Sequence, residues 1–166
     1  MMTSTSQDIL RGTFPTVERC LGDVPSFDDA PAWIYHHDNP YLHGAYAPTR
    51  CELDQPCLEI IGDLPADLRG SYYRNGANPQ FEPNNRYHPF DGDGMVHACH
   101  VSEDGVRYVN RWVVTDALAS ERRSGHSLSP GVMGPFDYSV SPFGIKDTSN
   151  TDLFALDGQL VSLWYN

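Results

Sequence analysis

The chain has 166 residues, with 11 Lys+Arg against 22 Asp+Glu, a net charge of −11 at pH 7, 14 Gly and 13 Pro, which bounds it to one turn-rich domain long enough to bury a core. That balance repels phosphate backbones, and no run of Lys or Arg offsets it, so nucleic-acid binding is set aside and contact with an anionic membrane is not indicated. No apolar stretch of about 18 residues is present, and the first residues lead into Gln7 and Asp8 instead of a basic then apolar leader, so the expected location is cytoplasmic.

Residues 1–37 mix Ser, Thr, Pro and Asp with scattered apolar positions; Pro15 interrupts a helix over 8–20, and the segment reads as a loosely ordered arm. Over 38–166 short β-favouring runs alternate with Gly, Pro, Asn and Asp clusters, and no long window keeps a helical period. The expected class is therefore all-β with a short loop-borne helix.

Strands are predicted over 58–61, closed by Gly62-Asp63-Leu64-Pro65, and over 70–74, ending at Asn75-Gly76. Residues 75–93 carry Pro79, Pro83 and Pro89 and read as a long ordered loop. A hairpin follows, its arms at 95–101 and 106–115 flanking Ser102-Glu103-Asp104-Gly105. In the second arm Val106, Tyr108, Asn110, Trp112 and Val114 share one face, expected to be core, while Arg107, Arg111 and Thr115 point the other way.

The Ser-, Gly- and Pro-rich connection over 116–147 contains one helix-like patch at 117–123. A second hairpin, 152–156 with 159–164, turns at Asp157-Gly158. Two such hairpins about fifty residues apart resemble propeller blades, yet six strands are too few for a propeller, and the last strand has an unprotected edge. The chain reads as the opening portion of a larger body.

The cysteines at 20, 51, 57 and 99 form no CxxC pair and fit buried or incidental thiols. His97 and His100, three apart on a strand, face opposite sides and cannot share an ion, whereas His97 and Cys99 share a face as core neighbours; His36 and His37 sit in a loop. Asp91-Gly92-Asp93-Gly94 opens like a calcium loop, but Met95, Val96, His97, Ala98 and Cys99 follow without the closing acid, so it is taken as a tight acidic turn whose glycines allow an unusual backbone path. Phosphate-loop, dinucleotide, nucleophile-elbow and zincin motifs are all absent.

The ordered runs 39–48 (NPYLHGAYAP), 62–79 (GDLPADLRGSYYRNGANP), 90–98 (FDGDGMVHA), Asn110-Arg111-Trp112-Val113, 146–151 (KDTSNT) and 158–164 (GQLVSLW) resemble the carotenoid cleavage oxygenase family. The resemblance implies a seven-bladed β-propeller, of which 38–166 would be the N-terminal segment. It also implies a non-haem Fe(II) held by four histidines, O2 as co-substrate, and an apolar conjugated small molecule (carotenoid, apocarotenoid or stilbene type) cleaved at a C=C bond.

In that family the first iron histidine follows the segment resembling 160–164, and none of the seven histidines here matches a ligand. No metal, catalytic or cofactor-binding residue is therefore assigned, and no Fe(II) is expected for this chain alone. The motif residues Arg74, Asn75, Gly76, Asn78, Pro79, Phe90, Asp91, Gly92, Asp93, Gly94, Met95 and His97 are read as scaffold, Arg74 tying loop carbonyls or carboxylates. The alternative is a non-catalytic acidic β module that binds a partner through its exposed edge strand.

Overall fold

A computed structural model describes residues 38–84 and 86–165; the expected arm and its helix, with Cys20, His36 and His37, lie outside them. Among these residues six strands form two antiparallel sheets: β1 (Asp54–Gln55), β2 (Gly70–Ala77), β3 (Gly94–Ser102) and β4 (Gly105–Trp112) in the order β1-β4-β3-β2, and β5 (Asp152–Leu156) with β6 (Gln159–Leu163). One α-helix among the described residues, α1 (Asp116–Ser124), lies in the connection between the sheets. The mostly β expectation with a loop-borne helix holds.

Both predicted hairpins form. Ser102 pairs with Gly105, whose φ of +123° closes the first, and Asp157 and Gly158 take φ of 48° and 77° at the second, the left-handed pair that matches strand twist. Helix α1 starts where Thr115 accepts the Leu118 amide through its hydroxyl and ends at Gly125 in the left-handed region.

Three of the expected strands differ by more than one residue. Residues 58–61 form no strand: Leu58 N donates to Val106 O, after which the run leaves the sheet with Ile61 96% exposed. The partner of β4 is instead β1, fixed because Arg107 grips Asp54 at 2.9 and 2.7 Å and the Asn110 side-chain oxygen accepts Leu53 N. Asn75-Gly76 does not end β2, since its pairing with β3 continues to Ala77 opposite Gly94. The second arm stops at Trp112 because Val113 N turns to Gly94 O and Thr115 becomes the helix cap. Val114 is consequently exposed.

Nor is burial confined to one face of the sheet. On one side Met95 and Trp112 pack with Leu118 of α1 and with Phe81. On the other, Val109 is 1% exposed, and Tyr73, Val96 and Ala98 face Leu153 and Leu160 of the β5–β6 hairpin across a groove of about 210 Å3. The alternation that hides both Met95 and Val109 follows from covering a two-sided pleat with a helix on one side and a hairpin on the other.

Candidate functional site

Three of the motif segments meet where the two sheets join. Asn78 N donates to Asp93 O at 2.7 Å, Gly94 N to Thr148 O at 2.7 Å, and Asn75 Nδ2 to Ser149 O at 2.8 Å. Asn150 Nδ2 reaches Phe90 O and Gly92 O at 3.0 and 2.7 Å. Asn78 also pairs with both backbone groups of Thr49, and its carbonyl accepts Trp112 Nε1. Buried amide side chains thus satisfy backbone that no strand ladder reaches.

The Asp91-Gly92-Asp93-Gly94 turn is built differently from the expectation. Gly92 has φ −68° and Gly94 is not in the left-handed region; what both positions need is room. A Cβ on Gly92 would stand 2.7 Å from Tyr87 Oη and 2.8 Å from Asn78 N, and one on Gly94 would overlap Ser149 O. Each carboxylate already has partners. Asp91 accepts His88 N and Val132 N, both at 2.8 Å, while Asp93 accepts Gln80 N at 3.0 Å and Lys146 Nζ at 2.9 Å.

Lys146 also reaches Glu121 at 2.9 Å, and Glu121 in turn accepts Ser127 Oγ and Leu128 N. The side chains of Asp93 and Glu121 are 2% and 1% exposed. Burial alone would push the lysine pKa down, but the charges and hydrogen bonds of the two carboxylates outweigh it and hold the pKa above the ordinary 10.5. A lysine held protonated is a clamp, not a nucleophile. Lys146 opens the family-like run 146–151, but neither it nor Glu121 is among the residues read as scaffold above. The available signal is Glu121 three residues after Leu118, a charge on the helix face that must be buried.

Beside this node lies a cavity of about 270 Å3 lined by Ala77, Pro89, Phe90, Asn150, Thr151 and Tyr165. Its wall is aromatic: Phe90 packs on Tyr165 at 5.4 Å and on His88 at 4.6 Å, and Tyr165 continues to Trp164 at 5.6 Å. Burial, then the charge of Asp91, raises the Tyr165 phenol pKa, so it is a neutral hydrogen-bonding group at physiological pH. Two aromatic rings beside the hydroxyls of Thr151 and Tyr165 suit a planar conjugated ligand with a polar end.

The remaining motif residues do not line this cavity. Met95 is core. Arg74 is exposed and makes no tie to a loop carbonyl or carboxylate among the described residues, contrary to expectation; instead its charge acts on His97 across the strand pair. His97 Nδ1 meets Tyr108 Oη at 2.6 Å, and His100, on the opposite face, meets Ser71 Oγ at 2.5 Å. Among the described residues no three His, Cys, Asp or Glu side chains gather as a metal site, Cys57 is exposed, and Cys51 and Cys99 are half-buried.

Burial, then Arg74, lowers the His97 pKa from 6.5; burial, then Arg107, lowers that of His100 against the opposing pull of Asp54. A histidine with a depressed folded pKa binds its proton more readily in the unfolded chain, so its contribution to stability is complete above the unfolded value and declines as pH falls below 6.5. Denaturant midpoints are expected to drop on acidification through that value, and His97→Gln is expected to flatten part of the slope. An unchanged slope in that variant contradicts the assignment.

The two sheets and the aromatic pocket between them define an antiparallel β protein. Residues 46–166 match the RPE65 family, described as retinal pigment epithelial membrane protein, and the chain belongs to that family. It is 34% identical over 130 residues to isoeugenol monooxygenase of Pseudomonas nitroreducens, covering 77% of this chain and 27% of that protein. It is 38% identical over 125 residues to probable carotenoid cleavage dioxygenase 4 of Arabidopsis thaliana, covering 75% and 20%. The crystal structure of Pseudomonas brassicacearum lignostilbene dioxygenase superposes with a TM-score of 0.67 at 35% identity, over 74% of this chain and 26% of that one. The chain thus spans about a quarter of the length of such relatives. No helix among the described residues is long and apolar enough to cross a membrane.

Proposed function

We propose that residues 38–166 are the N-terminal segment of a seven-bladed β-propeller, a cytoplasmic non-haem Fe(II)-dependent dioxygenase that cleaves a conjugated C=C bond of a carotenoid, apocarotenoid or stilbene-type substrate. The observation that carries this reading is the convergence of three family-like segments, 75–79, 90–94 and 146–151, on one aromatic pocket. Phe90 and Tyr165 would stack a conjugated substrate, and Tyr165 Oη and Thr151 offer it polar contacts. Fe(II), when bound, supplies O2 activation, so that one C=C bond and one O2 become two carbonyl groups.

The described residues do not fit that metal, since they gather no ligand group. Its four histidines are assigned to sequence beyond this segment, and no catalytic step is derived for the segment alone. Metal analysis and product analysis test this directly. The purified 166-residue chain is expected to retain no stoichiometric iron and to leave an apocarotenal and 4,4′-dihydroxystilbene intact, whereas a product extended downstream binds about one iron per chain and yields aldehydes. Iron capture and cleavage by the chain alone would overturn the reading.

A further inference from the structure

Residues 133–144 hang between two anchored points. Val132 N is held by Asp91 at 2.8 Å, and Lys146 is held by Asp93 and Glu121. Between these anchors, and beyond Gly134 N on Gly131 O, the hydrogen bonds among the described residues close on the segment itself: Asp137 N on Gly144 O, Val140 N on Asp137 O, and Gly144 N on Ser141 O. Phe136 and Tyr138 fold over Gly144, where an added Cβ would stand 2.8 Å from Phe136 Cβ. The result is a self-contained lobe with Gly134 at φ 61° and Gly144 at φ 75° near its two ends.

Beneath the lobe a cavity of about 530 Å3 separates Val140 to Phe143 from the cap residue Thr115 and from Ala117 and Ser120 of α1. Among the described residues its ring contact outside the lobe is Phe143 on Trp164, edge-on at 5.4 Å, and Trp164 packs against the pocket wall at Tyr165. We propose that residues 133–144 are a flap that turns about Gly134 at one end and the backbone just after Gly144 at the other and closes on Trp164 through Phe143, gating the aromatic pocket. A body with internal bonds, a glycine at its first hinge, one ring contact among the described residues and open space beneath it can move as a unit without breaking its own structure. The gating role rests on the reading of that pocket as the substrate site, whereas the motion does not.

Fluorine NMR of the chain labelled with 5-fluorotryptophan tests the motion, the fluorinated positions being Trp33, Trp112 and Trp164. The Trp164 line is expected to be broadened by exchange, and Phe143→Ala to move it to a sharp open-state position. Gly134→Ala, which disfavours the closed backbone only through its positive φ, moves it the same way while Trp112 stays in place. A sharp wild-type line unmoved by Phe143→Ala, or moved by that substitution but not by Gly134→Ala, overturns the flap.

Titration with 4,4′-dihydroxystilbene tests the gate. Phe143→Ala is expected to weaken binding roughly three- to tenfold, the worth of one ring pair. Unchanged affinity removes the gating role. Binding by neither protein removes the pocket reading and the gate with it, leaving the fluorine lines to decide the motion.

Discussion

Replacing Lys146 with Met is expected to destabilise the protein by about 3–5 kcal/mol, the usual cost of stripping the counter-ion from a buried ion pair. Two carboxylates share this one ammonium, each at 2.9 Å. Removing it leaves Asp93 and Glu121 charged, repelling each other and almost completely shielded from water. The loss is a large share of the stability of a domain this size. Its pH dependence has a definite sign. In the wild type the lysine pKa is raised on folding, so its contribution is complete below 10.5 and is lost as pH rises through the folded value.

In Lys146→Met the unpaired carboxylates gain from protonation, so the stability gap between variant and wild type is expected to narrow on acidification, the histidine contribution being common to both. Urea midpoints of both proteins across acid and alkaline pH check this. Adding Glu121→Gln and Asp93→Asn to Lys146→Met removes the orphaned charges and is expected to restore much of the loss. If the triple variant is no more stable than the single one, the ionic account fails and packing of the lysine stem carries the effect instead.

The parts of this protein that could be read from its sequence are those governed by local rules. Asp104-Gly105 and Asp157-Gly158 specify their turns through backbone conformation, and Thr115 with Gly125 brackets α1. The missed strand β1 has only two residues and depends on Arg107 and Asn110, more than fifty positions away. The run at 58–61 shows the opposite failure: its composition favours β structure, but β4 gives it one hydrogen bond and then leaves it exposed.

The site divides in the same way. Phe90, Asp91, Asn75 and Asn78 stand out within motifs and do meet at the node, because motif segments in this fold are segments that pack together. Lys146 and Glu121 matter through a contact between residues 25 apart, and no periodicity in the intervening loop announces it. For Arg74 the side-chain chemistry was legible but not the direction: on an edge strand it faces His97 and solvent rather than the loops.

Gly94→Ala is the second substitution with a large expected effect, and it tests what holds the two sheets together. The new methyl group would overlap the carbonyl oxygen of Ser149 and lie 2.8 Å from that of Thr148. Both obstacles are backbone, so neither can swing aside as a side chain does. Either β3 or the 146–151 loop must shift, and the bonds at stake are Gly94 N to Thr148 O, Asn75 Nδ2 to Ser149 O and Asn150 Nδ2 to Gly92 O. Overpacking together with the loss of one or two buried hydrogen bonds amounts to about 3 kcal/mol.

Because those bonds join the β5–β6 hairpin to the larger sheet, hydrogen exchange is expected to accelerate over 152–163 more than within β3 and β4. Gly76→Ala, in the paired motif, is the contrasting case. An added Cβ there meets nothing closer than an Arg74 nitrogen at 3.8 Å, and stability is expected to change by less than about 0.5 kcal/mol. Equal losses at the two glycines would mean that backbone freedom, not close approach of the 146–151 loop, is what position 94 requires.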